Sequence, residues 1–194
     1  VFILLTANDR LLLPTVVCRC QRLELAPSAA SEIEATLCSR WGIEQPRAKL
    51  LARLSHGCLG WAISAASGDG LLQQRAEKLD RLFNIINADY DERFTYVAQL
   101  VALFRKSREL VQEILDLWLD WWRDLMLVKV SCSDSIINVD SEAILVNITE
   151  RDGAAYIRGF IDSIQAAGEQ LRQNANPQLV LEVLMLSIPG RKYG

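Results

Sequence analysis

Five cysteines stand at positions 18, 20, 38, 58 and 132, and no two of them form a C-x-x-C pair. With His56 as the only histidine, no zinc set of the usual spacing can be assembled, so no metal site is expected. An odd number of thiols and no signal peptide point to reduced cysteines in a cytoplasm, packed as small buried hydrophobes. The catalytic signatures G-x-x-x-x-G-K-[ST], G-x-S-x-G and H-E-x-x-H are also missing, and without them no self-contained activity is expected. Nor is there a basic excess: 21 Lys and Arg against 24 Asp and Glu leave a net charge of -3. Nucleic acid, if it is met at all, is then met locally or through other subunits, and a mainly protein-binding role fits better. No uncharged run is long enough to span a bilayer, because the most apolar stretch, residues 114 to 130, is interrupted by Asp116, Asp120, Arg123 and Asp124.

What is present describes a globular chain, with 51% hydrophobic residues against 23% charged in 194 residues. That length can bury one large core or two small ones. The opening "VFILLTAN" is an uncharged run of the kind found in strands covered on both faces, and "RLEL" at 22 to 25 is a second strand candidate. Two short strands cannot make a parallel sheet with its helical covers. The expectation is therefore the C-terminal part of a longer protein, cut within an α/β domain whose other strands lie upstream.

Beyond Leu25 the pattern becomes helical, and the fold class expected is mainly α. Ser28 is placed to cap a helix running to about Arg40, with Gly42 just past its end. Pro46 suits the first position of the next helix, which Gly57 stops, and "LGWAISAA" forms a third before the breaker cluster "SGDG" at 67 to 70. Longer helices follow. One carries Leu72, Leu79, Leu82, Phe83 and Ile86 on a stripe, and the next carries Phe94, Val97, Val101 and Phe104. A third repeats Ile114, Leu115, Trp118, Trp121, Trp122, Leu125 and Met126 at helical spacing. After a short segment around Glu142 to Val146, "TERD" at 149 to 152 resembles a capping box for a helix facing a core with Ile157, Phe160, Ile161 and Ile164. Asn176 and Pro177 open the last helix, which Pro189 and Gly190 end. Residues 71 to 188 read as an antiparallel helical domain of five or six helices.

His56, beside Gly57 at a helix end, reads as a cap or as surface packing rather than as a catalytic base. Trp118, Trp121 and Trp122, at helical spacing with Leu, Ile and Met, point to core or to a subunit interface rather than to a base-stacking platform.

The stretch "FILLTANDRLLLPTVVCRCQRLEL" at 2 to 25 resembles AAA+ clamp-loader subunits, in which a sensor 1 strand leads into a helix of the form L-P-T-x-x-S-R-C. Here that helix reads Leu13-Pro14-Thr15-Val16-Val17-Cys18-Arg19-Cys20, with Cys18 in place of serine. The resemblance implies that Arg19 is a catalytic arginine finger acting in trans on ATP-Mg bound by a neighbouring subunit, with no cofactor held by this chain. A guanidinium offers planar, bidentate, permanently charged donors to the charge spread over a transferring phosphoryl group. Thr6 and Asn8 are the sensor 1 candidates. "LARLSHGCLGWAISAA" at 51 to 66 resembles the sensor 2 helix, with Gly60 where ATP-hydrolysing members carry arginine. "LWLDWWRDLMLVK" at 117 to 129 and "NANPQLVLEVLML" at 174 to 186 resemble the C-terminal collar of the bacterial DNA polymerase III clamp loader. The implied organisation is an AAA+ core remnant at 1–25, a three-helix lid at 26–70 and a helical collar at 71–194. The implied partners are gamma/tau and delta subunits, the sliding clamp, and primed DNA met through the assembled complex. Trp118, Trp121 and Trp122 would then serve the collar interface, in a protein belonging to a DNA-directed DNA polymerase holoenzyme. Two rival readings are a gamma/tau-type subunit that hydrolyses its own ATP, and a helical adaptor unconnected with nucleotide.

Overall fold

The computed structural model describes residues 2–6, 12–68, 70–149 and 153–188. The described residues are helical, with no strand among them. Residues 2–6 and 21–25 lack regular structure, and Phe2, Leu5, Leu23 and Leu25 are all more than 80% exposed. Both strand expectations therefore fail here: a strand must pair its backbone groups along a neighbour, and no described segment supplies one.

Helix α1 (Pro14–Val17) is a single turn that buries nothing. Helices α2 (Ala30–Trp41), α3 (Gln45–Leu54) and α4 (Leu59–Ala66) pack together around Ile33, Leu37, Ala48, Leu51, Ala52, Ala62 and Ala65. Their ends follow local chemistry. Gly42 adopts the left-handed conformation (φ 65°) that closes α2, and Pro46 sits in the first turn of α3. Ser28 does not cap α2. Ala29 occupies the cap position, and the Ser28 backbone N–H donates instead to the Gly57 carbonyl at 3.0 Å.

The remaining helices enclose a second, larger core. They are α5 (Gly70–Asn87), α6 (Tyr90–Lys106), α7 (Arg108–Lys129), α8 (Glu142–Thr149), α9 (Ala154–Arg172) and α10 (Pro177–Ser187), with two short 3-10 turns between α7 and α8. Asp89 caps α6 by accepting from the Glu92 N–H, Ser107 caps α7 and Asn176 caps α10. The proposed capping box at 149 to 152 is not how α9 begins. Thr149 is the last residue of α8, its hydroxyl donating back to the Val146 carbonyl at 2.8 Å, and Gly153 precedes α9; Asp152 lies outside the described residues.

Helix α7 runs through the centre of this bundle and touches α5, α6, α8 and α9, while α10 packs on α6 and α9. Three indoles make the joints. Trp121 meets Phe83 of α5 edge-on at 4.8 Å, Trp118 stacks with Tyr96 of α6 at 6.3 Å, and Trp122 meets Phe160 of α9 edge-on at 4.7 Å. Trp118, Trp121 and Trp122 are at most 1% exposed, which corrects the expectation that they face a partner: they are the interior of this chain. Such ring pairs add about 0.5–1.5 kcal/mol each beyond the area they bury.

The expected stripes hold at Leu79, Leu82, Val97 and Val101, which are buried, and differ at single positions. Ile85 rather than Ile86 is fully buried in α5, and in α6 Tyr96 and Leu100 turn inward while Phe94 stays 38% exposed. Beside Phe94, Arg93 is itself buried (5% exposed) and donates to the Ile85 and Ile86 carbonyls at 3.2 and 3.0 Å and to the Met185 carbonyl at 3.2 Å. Its guanidinium serves the C-terminal ends of α5 and α10 together, where carbonyls lack helical partners and the dipoles favour a cation.

Candidate functional site

The residues expected to carry function are spread along the chain: Arg19 follows α1, Thr6 lies in the segment 2–6 and Gly60 begins α4. Pro14 starts α1, a position where its missing N–H costs nothing, and the turn continues past α1 through bonds from the Arg19 N–H to the Val16 carbonyl (3.1 Å) and the Cys20 N–H to the Val17 carbonyl (3.2 Å). The backbone of Arg19 is thus fixed on a wound turn while its side chain is exposed. Among the described residues the guanidinium has no ion-pair or hydrogen-bond partner. Its neighbour Arg22, by contrast, pairs with Glu24 at 2.7 Å.

Cys18 and Cys20 are exposed on either side of Arg19, and Cys58 and Cys132 are exposed as well; only Cys38 is half-buried, against the α2–α4 core. The expectation of buried cysteines is corrected on this point. The reason at 18 and 20 is that α1 has no buried face for a thiol to join. All five are free, and no group of three or more metal-ligating side chains occurs among the described residues.

Thr6 is exposed in the irregular segment 2–6, and Asn8 lies outside the described residues. Gly60 is exposed in the first turn of α4, and a Cβ built there meets nothing within 4 Å. A Cβ meets no obstruction at this position, and Gly60 carries none. Nothing about Gly60 is forced by packing.

His56 does more than end a helix. It lies in the left-handed region (φ 48°) immediately before Gly57 (φ 84°), and its Nε2 approaches Asp120 Oδ2 of α7 at 2.9 Å. The hydrogen bond to Asp120 holds the imidazole above its usual pKa of 6.5, against the opposing effects of burial and of Arg123. Three residues earlier, Arg53 donates to the Asp134 carbonyl at 2.7 Å and to the Ile136 carbonyl at 3.3 Å.

The segment that receives Arg53 is itself held from beneath. Asp124, fully buried on α7, accepts from the N–H groups of Ile137 and Asn138 and from Asn138 Nδ2 at 2.7 to 3.0 Å. Arg75 of α5 adds bonds to Asn138 Oδ1 and to both carboxylate oxygens of Asp140. Periodicity places Asp124 with the charges that interrupt an apolar run, and gives no sign that it is buried. The one available signal is its position between Trp121, Trp122 and Leu125, which leaves it no wet side.

Residues 70–189 match the family described as DNA polymerase III, delta subunit, C terminal. Over 186 residues the chain is 23% identical to the DNA polymerase III subunit delta' of Bacillus subtilis (strain 168). That alignment takes in 96% of this chain and 56% of the relative, so the chain spans just over half the length of the curated relative it matches.

Proposed function

The chain belongs to the family of C-terminal domains of the DNA polymerase III delta subunit, and from that premise we propose that it serves as a delta-prime-type subunit of the clamp loader in DNA replication. The observation that carries the reading is the extent of the likeness to subunit delta', which takes in nearly all of this chain rather than the helical bundle alone. On this reading α2–α4 form the lid and α5–α10 the collar, the latter joining the ring formed with gamma/tau and delta subunits. The assembled ring, acting in the cytoplasm, opens the sliding clamp and sets it on primed DNA.

Arg19 is the group we assign to chemistry. Its fixed backbone and its freedom from partners among the described residues suit a finger that reaches ATP-Mg on a neighbouring subunit. A guanidinium so placed neutralises charge developing on the transferred phosphoryl group and is worth about 10³- to 10⁵-fold in rate. Gly60 fits the same division of labour, since without a cation there this chain has less to offer a nucleotide of its own. The test is Arg19→Ala in the full-length protein assembled with its partners. DNA-stimulated ATP turnover at the served site should fall by about 10³-fold or more while ring assembly, measured by gel filtration, is unchanged. Unchanged turnover would remove the finger assignment; lost assembly with normal turnover per ring would make Arg19 an interface residue instead.

A further inference from the structure

Two cores, one within α2–α4 and one within α5–α10, meet where α4 packs on α5 and Leu72 of α5 lies on the smaller core. They are also tied by polar bonds at the C-terminal end of α3, and the chemistry of that joint is uneven. His56 reaches Asp120 directly, with 2.9 Å between Nε2 and Oδ2. Arg53 reaches the 134–136 carbonyls, which stand on the segment that Asp124 holds. Arg53 in the last turn of α3 and His56 in the turn just past its end thus face α7, where Asp120 and Asp124, four apart, share one helical face. Asp120 takes the first cation itself, and Asp124 takes the second through a layer of backbone.

The direction of His56 is fixed by its surroundings. A Cβ at Gly57 would lie 2.4 Å from Pro27 Cβ and 2.9 Å from the Ser28 carbonyl oxygen, so the turn that carries the imidazole is closed against residues 27 and 28. The same turn is tied by the bond from the Ser28 N–H to the Gly57 carbonyl. A non-glycine residue at positive φ is uncommon and is kept where the surrounding structure over-determines it.

We propose that His56–Asp120 and Arg53 with the 134–136 carbonyls form a two-point latch that sets α2–α4 against α5–α10, its histidine point loosening as pH rises while its arginine point holds. The charged groups about His56 are Asp120, Asp116 and Arg123 on α7 and Arg53 in the last turn of α3; the two aspartates favour the imidazolium and Arg123 opposes it. Since the folded-state pKa is raised, the stabilisation is fully present below 6.5 and is lost as pH climbs through that raised value. Arg53 stays charged throughout, so the joint loosens without coming apart. His56 is half-exposed, which keeps the effect small: the population of loosened chains should rise about two- to fivefold, the range typical of exposed ion pairs.

The experiment uses NMR on the full chain, where His56 is the only histidine and its imidazole titration is read without overlap. The midpoint should lie above 6.5 and fall toward that value in Asp120→Asn. ¹⁵N relaxation dispersion of the unaltered chain should show the two groups tumbling together at pH 6 and at pH 9, with the minor loosened population of α2–α4 about two- to fivefold larger at pH 9. His56→Gln should remove the pH response, and Arg53→Met combined with Asp120→Asn should enlarge the loosened population at every pH beyond its pH 9 value in the unaltered chain. An unshifted midpoint in Asp120→Asn, or an unchanged loosened population in the double variant with the α5–α10 signals intact, would overturn the latch.

Discussion

The core of α2–α4 is made mostly of alanine, with Ile33, Leu37 and Leu51 as its larger members, whereas the core of α5–α10 is centred on three tryptophans. Alanine lets short helices approach closely but contributes little area, and a unit of roughly 40 residues is near the size below which an apolar core alone seldom suffices. In the larger bundle each indole binds a different helix to α7, so one central element carries contacts to α5, α6 and α9 at once. The smaller unit depends on its attachments, and the larger one stands on its own packing. A part that must change its setting during a cycle benefits from the first arrangement, and a part that holds an assembly together benefits from the second.

The largest effect is expected at the centre of the bundle. Trp122→Ala should cost about 3–5 kcal/mol in urea unfolding, because the vacated space is enclosed by Phe160 and neighbours that cannot all collapse into it. A loss under 1 kcal/mol would mean that the indole is not the joint described. Leu51→Ala, at a site with no exposure, should cost about 2–3 kcal/mol but act locally. The helices α2–α4 should lose amide protection while the near-ultraviolet signal of Trp118, Trp121 and Trp122 persists. Simultaneous loss of both signals would show that the two cores fold as one unit. The smallest change should be a gain: Gly60→Ala places a methyl in open space on α4 and should stabilise by about 0.5–1 kcal/mol, since helical glycine is entropically costly. Destabilisation there would show that the open face of α4 is not open.

Much of this architecture is legible in the sequence wherever a single residue type carries a local rule. Gly42, Pro46, Asn176 and Pro177 mark helix ends near where they occur, and the α7 stripe from Ile114 to Leu125 is the face that is buried. Several failures share a cause: they depend on a partner that only folding brings near. Arg93 and Asp124 look like solvated charges until the backbone groups they serve, at 185 and at 137–138, are folded against them. Residues 2–6 and 22–25 have strand-like composition but no pairing neighbour among the described residues. Thr149 resembles a cap because the short α8 before it is hard to see in sequence. For the candidate site, the turn around Arg19 follows from Pro14, while the bond between His56 and Asp120 spans two helices and follows from no local pattern.

Arg93 also bears on how the chain is made. Two of its carbonyl acceptors, at Ile85 and Ile86, precede it, but the third, at Met185, is translated 92 residues later. At common elongation rates that delay is about 5 to 20 s, an interval in which an incomplete bundle holds a cation beside apolar surface with one acceptor still unsynthesised. The bundle therefore cannot close its polar accounts before α10 leaves the ribosome. A nascent chain halted short of that helix would leave bare the faces of α6 and α9 that α10 covers, the kind of exposed apolar surface that makes incomplete chains aggregation-prone.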